Sequence, residues 1–107
     1  MPTTPDSDIL AGLRPNYRTR LEARVFRLRS FAEALGKGTL PAQHHDDLHR
    51  AAHSMASSAA IFGHVGLSAA ALDTEKAFES STGDIVEQRA SLSCLLEEAR
   101  RVLDAGA

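Results

Sequence analysis

Apolar residues return every three or four positions through four separate stretches of this chain, and that spacing most limits what it can fold into. The first stretch carries Tyr17, Leu21, Val25, Leu28, Ala32 and Leu35. The second carries Leu48, Ala52, Met55, Ala59 and Phe62 at intervals of four and three. A third holds Val65, Leu67, Ala71, Leu72, Thr74, Glu75 and Phe78, and a fourth Ile85, Leu92, Leu95, Leu96, Ala99, Val102 and Leu103. A period near 3.6 gathers such residues on one face of an amphipathic helix. No stretch reads convincingly as a strand. Aromatic residues make up only 5% and tryptophan is absent, so the core must come from Leu, Ala, Val and four Phe. That composition suits packed helices better than a β-sandwich.

Breakers separate the stretches. Residues 1–8 hold two prolines, two threonines and two aspartates and are expected to form a loose arm. Asp6, Ser7 or Asp8 can cap a short helical stretch with Ile9, Leu10 and Leu13. Pro15 then suits the first turn of a longer helix, where its missing N–H is not needed. Gly-Lys-Gly at 36–38 stops that helix, with Gly36 suited to the left-handed position after its end. A second helix is expected from near Pro41, and Gly63 is placed to end it. Residues 80–84, SSTGD, read as a turn, with Asp84 as N-cap and Glu87 completing a capping box. Short links make neighbours antiparallel. The expectation is an all-α, up-down-up-down four-helix bundle over residues 9–107, with a short N-terminal helical arm.

At 107 residues, one domain is expected. Such a chain buries roughly 65% of its unfolded surface, enough for one core. Hydrophobic residues reach 43%, which argues against disorder throughout. A net charge of −2 gives no basic excess for nucleic acid. Cys94 is the one cysteine and has no disulfide partner in the chain, compatible with a reducing compartment. It is expected to pack as a small apolar residue of the last helix. No apolar run approaches the ~20 residues that span a bilayer, and the polar, acidic start is no secretory signal. A soluble cytoplasmic protein is the resulting expectation; a monomer is expected, although a leftover apolar face could pair bundles. The natural-looking start and the lack of an ATP-binding motif suggest a free-standing module.

HRAAHSMASSAAIFGH, residues 49–64, places His53 among alanines and serines. Each helical residue advances about 100°. Ala52, Met55, Ala59 and Phe62 then lie within about 40° of Leu48, whereas His53 lies about 140° away. The imidazole is expected on the surface, with His49, Ala56, Ser57 and Ala60 around it. Side chains that short leave the ring open to another protein. Alanine also fills exposed helical positions simply because it is a good helix former.

The segment AHSMASSAAIFGHVGL, residues 52–67, resembles the signature of the histidine-containing phosphotransfer (HPt) domain. His53 matches the phosphoacceptor, Met55 the apolar position two on, Gly63 the glycine at +10 and Leu67 the leucine at +14. Ala52 and the later acid Glu75 also fit. Two positions depart from the pattern: Ala56 stands where the family has lysine, and Ser57 where it has glycine. In the family the lysine is thought to screen the phosphoryl charge, and the glycine lets the receiver approach.

The resemblance implies a stoichiometric phosphorelay carrier rather than an enzyme. His53 would take a phosphoryl group from the aspartate of a response-regulator receiver domain and pass it to another receiver. The carrier has no cofactor of its own, and Mg²⁺ comes with the receiver. Imidazole suits the task because much of it is neutral and nucleophilic near pH 7. Receiver domains are the implied partners, with a hybrid histidine kinase as a further candidate, without nucleic acid or membrane. Arg50 is a candidate to replace the missing lysine. The Ser57 hydroxyl can donate to the phosphoryl group or bond back to the carbonyl of residue 53. Gly63 and His64 complete the expected receiver contacts, although His64 also reads as a surface turn residue. The departures at Ala56 and Ser57 leave an alternative, a degenerate bundle that binds a receiver or kinase without accepting phosphate. A metal site is the other rival, since His45, His49 and His53 recur every four residues beside His44 and Asp46. The first and third are about 12 Å apart along the axis, so at most two would share an ion.

Overall fold

A computed structural model describes residues 7–79 and 83–106. Among them are four helices and no strand: α1 (Ser7–Gly36), α2 (Ala42–Ile61), α3 (Val65–Ala77) and α4 (Ile85–Asp104). They close a ring in which α2 packs on α3, α3 on α4 and α4 on α1, while α1 touches α2 only lightly. Contacts between neighbours run in opposite senses. Ser68 meets Ala56 and Glu75 meets His53; Thr74 meets Ser91 and Ala77 meets Gln88; Tyr17 meets Phe62 and Phe31 meets His44. Residue numbers rise on one helix as they fall on the next, which is the up-down arrangement expected from short links.

Residues 1–6 and 80–82 lie outside the described residues, and with them most of the expected arm and the first part of the SSTGD turn. The expected break before Pro15 does not occur. α1 begins at Ser7 and runs through Pro15 as one helix of 30 residues, about 45 Å of the molecule's 51 Å length. Pro15 removes one rung, the bond to the carbonyl of Ala11. That turn is exposed, so water can take the carbonyl. The stop also differs. Gly36 is the last helical residue, and the left-handed position belongs to Gly38, at φ +71°. Gly38 N–H donates to Leu35 O and Thr39 N–H to Ala34 O, a paired closure that satisfies two carbonyls at the helix end. α2 closes in the same way, with Gly63 at φ +79°, Gly63 N–H on Ala60 O and His64 N–H on Ala59 O. Gly63 is therefore the stop the sequence indicates.

The core contains the expected seams, from Tyr17, Leu21, Val25, Leu28 and Leu35 through Leu48, Ala52, Met55 and Ala59 to Leu67, Ala71, Leu92, Leu95 and Ala99. Phe31 joins them, while Ala32 and Phe62 are only half-buried. Val65, Leu72 and Ile85 are exposed despite their apolar spacing. Val65 and Ile85 are the first residues of their helices, at the ends of the bundle. Cys94 is exposed as well, contrary to the packing expected of it. It stands about 200° around α4 from the buried Leu92. Asp84 caps α4, its Oδ1 accepting from Val86 N–H at 2.9 Å, and Glu87 adds an acid at the positive end of the helix. Two buried polar side chains tie α3 to α4. Gln88 Nε2 donates to Ala77 O at 3.0 Å, and the Thr74 hydroxyl lies within reach of both Ala70 O and Ser91 O.

Candidate functional site

His53 projects from the middle of α2 with 67% of its side chain exposed. Its Nδ1 lies 2.8 Å from Glu75 Oε2 on α3, and the Glu75 side chain is only 19% exposed. A carboxylate accepts and does not donate, so the bond assigns the hydrogen of the ring to Nδ1. In the neutral ring Nε2 is then the nitrogen that keeps its lone pair. The same Glu75 oxygen lies 3.9 Å from His49 Nε2, one turn earlier on α2. Glu75 thus sits between two imidazoles and fixes the orientation of the one that is more exposed.

The surroundings of His53 match the sequence reading in part. Ser57 and Ala60 are exposed on the same face. Ser57 Oγ donates to His53 O at 3.3 Å, the back-bond rather than an outward donor. Ala56 departs from expectation. It is 5% exposed and faces α3, where Ser68 Oγ donates to Ala56 O at 2.9 Å. The helical wheel puts Ala56 about 60° from His53 on the side where α3 packs, so that flank is closed. Arg50 lies about 60° around on the other side and is exposed toward α1. There it shares a groove with Arg24, Arg27, Asp47 and Ser54.

His64 and Gly63 stand away from the imidazole, about 15 Å farther along the helix axis. His64 is half-buried against Tyr17, with ring centroids 5.8 Å apart. Tyr17 stacks in turn on Phe62 at 4.3 Å. Burial, and secondarily the Arg14 guanidinium, hold the His64 pKa below the usual histidine value, so this ring favours its neutral form. The remaining histidines diverge. His44 packs on the Phe31 ring and His45 on the Phe78 ring. Among the described residues no three His, Cys, Asp or Glu side chains gather where they could hold a metal ion. Of the three at i, i+4 spacing, His45 is turned onto the Phe78 ring, while His49 and His53 share the Glu75 carboxylate.

The Glu75 pairing is the element that helical spacing alone does not reach. A signal was present. His53 lies ten residues before Gly63 and Glu75 twelve after it, so a tight antiparallel hairpin brings them together. Arg24, which donates to Ser54 Oγ at 2.7 Å, is a second such contact.

Fold and site together define a helical bundle that carries one oriented imidazole in the open on a helix surface, where a partner protein can reach it. Residues 16–105 match the family model of the Hpt domain, and the chain belongs to that family. Comparison with curated proteins and with solved structures returns no match. Hpt domains act in histidine phosphotransfer within two-component phosphorelays, as phosphocarriers that interact with receiver domains and kinases. Among the described residues, no helix is long and apolar enough to cross a membrane.

Proposed function

We propose that His53 is the phosphoacceptor of an active carrier, taking the group from the aspartyl phosphate of a response-regulator receiver and returning it to another. The observation that carries this reading is the 2.8 Å contact between Nδ1 and Glu75, with the rest of the ring exposed. The Nε2 lone pair attacks phosphorus in line, the bond from phosphorus to the aspartate oxygen breaks, and a carboxylate leaves. The hydrogen stays on Nδ1. The product ring carries a positive charge there, and Glu75 lies against it. No proton has to move during the step.

Charge neutralisation dominates a loose phosphoryl transfer. Mg²⁺ arrives with the receiver. From this chain, Arg50 supplies a guanidinium on the open flank of His53, in place of the lysine absent at Ala56. His49, Ala60 and Ser57 form the contact surface immediately around the ring, with Gly63 and His64 at its far end. The alternative of a bundle that binds without accepting phosphate rests only on the identities of Ala56 and Ser57. The exposed imidazole held by Glu75 favours the active carrier.

Receivers labelled on aspartate with radioactive acetyl phosphate test the reading. Transfer is expected to give a label on this chain that is acid-labile and alkali-stable, as a phosphohistidine is. Tight receiver binding without label would establish the inactive alternative. Glu75→Gln keeps the side chain's size but removes its charge. Loss of a charge-assisted hydrogen bond of about 1.4 kcal/mol should slow transfer about tenfold. An unchanged single-turnover rate in Glu75→Gln would remove Glu75 from the mechanism.

A further inference from the structure

The light contact between α1 and α2 leaves a groove between them, on the side of α2 away from Glu75 and beginning at Arg50, about 60° around the helix from His53. Two hollows of about 220 and 330 Å³ lie along it, and Arg24 and Ser54, hydrogen-bonded to each other at 2.7 Å, line both. Arg20 lines the first, and Arg27 and Arg50 the second. Four arginines therefore line the two hollows, with Arg24 bonded to Ser54 and Arg27 over the Phe31 ring, and Asp47 is the one acidic residue lining them. The chain as a whole has 12 basic and 14 acidic residues, so this concentration is local rather than compositional. Asp47 neutralises little of it, since its contact with Arg27 is 3.5 Å long and the Arg27 side chain is largely exposed.

We propose that this arginine-lined groove is the charge-selecting half of the docking surface, and that it favours receivers presenting an acidic face beside their phosphorylation site. The inference rests on the carrier reading above and extends it to partner choice. A stable interface covers about 800 Å² on each partner, some 30 Å across, whereas packed helices lie 8–10 Å apart. A receiver centred on His53 must therefore overhang α1. On the α3 side it meets the closed position of Ala56 and Glu75, which is already engaged with His53. On the α1 side it meets guanidiniums, whose planar forks pair with carboxylates in two-bond geometry. Burial, and then the neighbouring Arg20, hold the Arg24 pKa below its usual value, and an incoming carboxylate relieves that strain. Charges at such a rim act mainly on encounter and partner discrimination.

The test uses the double variant Arg20→Glu/Arg27→Glu, with Arg29→Glu/Arg89→Glu as a control of equal charge change away from the groove. All four residues are exposed, so the fold should persist; chemical phosphorylation by phosphoramidate checks that His53 remains reactive. Probes are a panel of aspartyl-phosphorylated receivers of differing face charge, each also titrated by calorimetry. For acidic-faced receivers, the groove variant should lose at least about tenfold in the second-order transfer rate constant, mostly through weaker binding, with a shallower dependence on salt. The control should stay within about twofold. Equal losses in both variants, or none in the groove variant with any receiver that labels the wild type, would overturn the proposal. If no receiver labels the wild type, the carrier reading fails, and calorimetry still decides the groove: equal affinity for both proteins, or no binding to either, overturns it.

Discussion

Replacing His53 with glutamine should abolish acceptance of a phosphoryl group while leaving the bundle folded. Glutamine is close to histidine in size and polarity, and the side chain it replaces is mostly exposed. Losing the bond to Glu75 should cost about 1 kcal/mol, too little to unfold the bundle. The amide has no nucleophilic lone pair, so transfer from a phosphorylated receiver should fall by at least about a thousandfold, to the limit of detection. The four other histidines at 44, 45, 49 and 64 provide an internal control. His44, His45 and His64 pack on aromatic rings, and His49 is half-buried beside Glu75. Label surviving in His53→Gln would move the acceptor to one of them. Unchanged circular dichroism is needed to exclude unfolding as the cause of a loss.

The second large effect is on stability. Leu48→Ala removes a side chain that is wholly buried on α2, a little over one turn before His53. Lost transfer energy and the residual cavity together should destabilise the fold by about 3 kcal/mol. For a domain of this size that lowers the melting temperature by roughly 15 °C. The phosphotransfer rate measured well below the new midpoint should stay close to wild type, because Leu48 faces the core and His53 faces out. A fall in rate at full folding would show that core packing on α2 sets the angle of the imidazole.

Most of the fold follows from residues whose neighbours in sequence decide their role. The seams from Leu48 to Ala59 and from Leu92 to Ala99 are buried as their spacing requires. Gly63 and Asp84 act as stop and cap, because a left-handed residue and an N-cap are local events. Misreadings occur where distant structure decides. Pro15 looks like a helix start but sits inside α1, since one lost rung is cheap on an exposed turn. Gly36 and Gly38 are equally capable of a left-handed turn, and the bonds of Thr39 and Gly38 to α1 select the second. Val65 and Ile85 fit the apolar pattern yet stand exposed at bundle ends. At the site, the outward direction of His53 can be read from a helical wheel with a single inward direction. The burial of Ala56 cannot, because α2 packs against α3 along a second line that the wheel does not include. Glu75 and Arg24 reach α2 from other helices, and only the hairpin register or the folded ring brings them there.

The most direct measurement of the central claim is the position of the phosphoryl group on the ring. Protein labelled with ¹⁵N in its histidines, phosphorylated by a receiver, reports this through its long-range proton–nitrogen correlations. Phosphorus on Nε2 of His53, with Nδ1 still protonated against Glu75, is the predicted result. Phosphorus on Nδ1, or on any other histidine, would contradict the account.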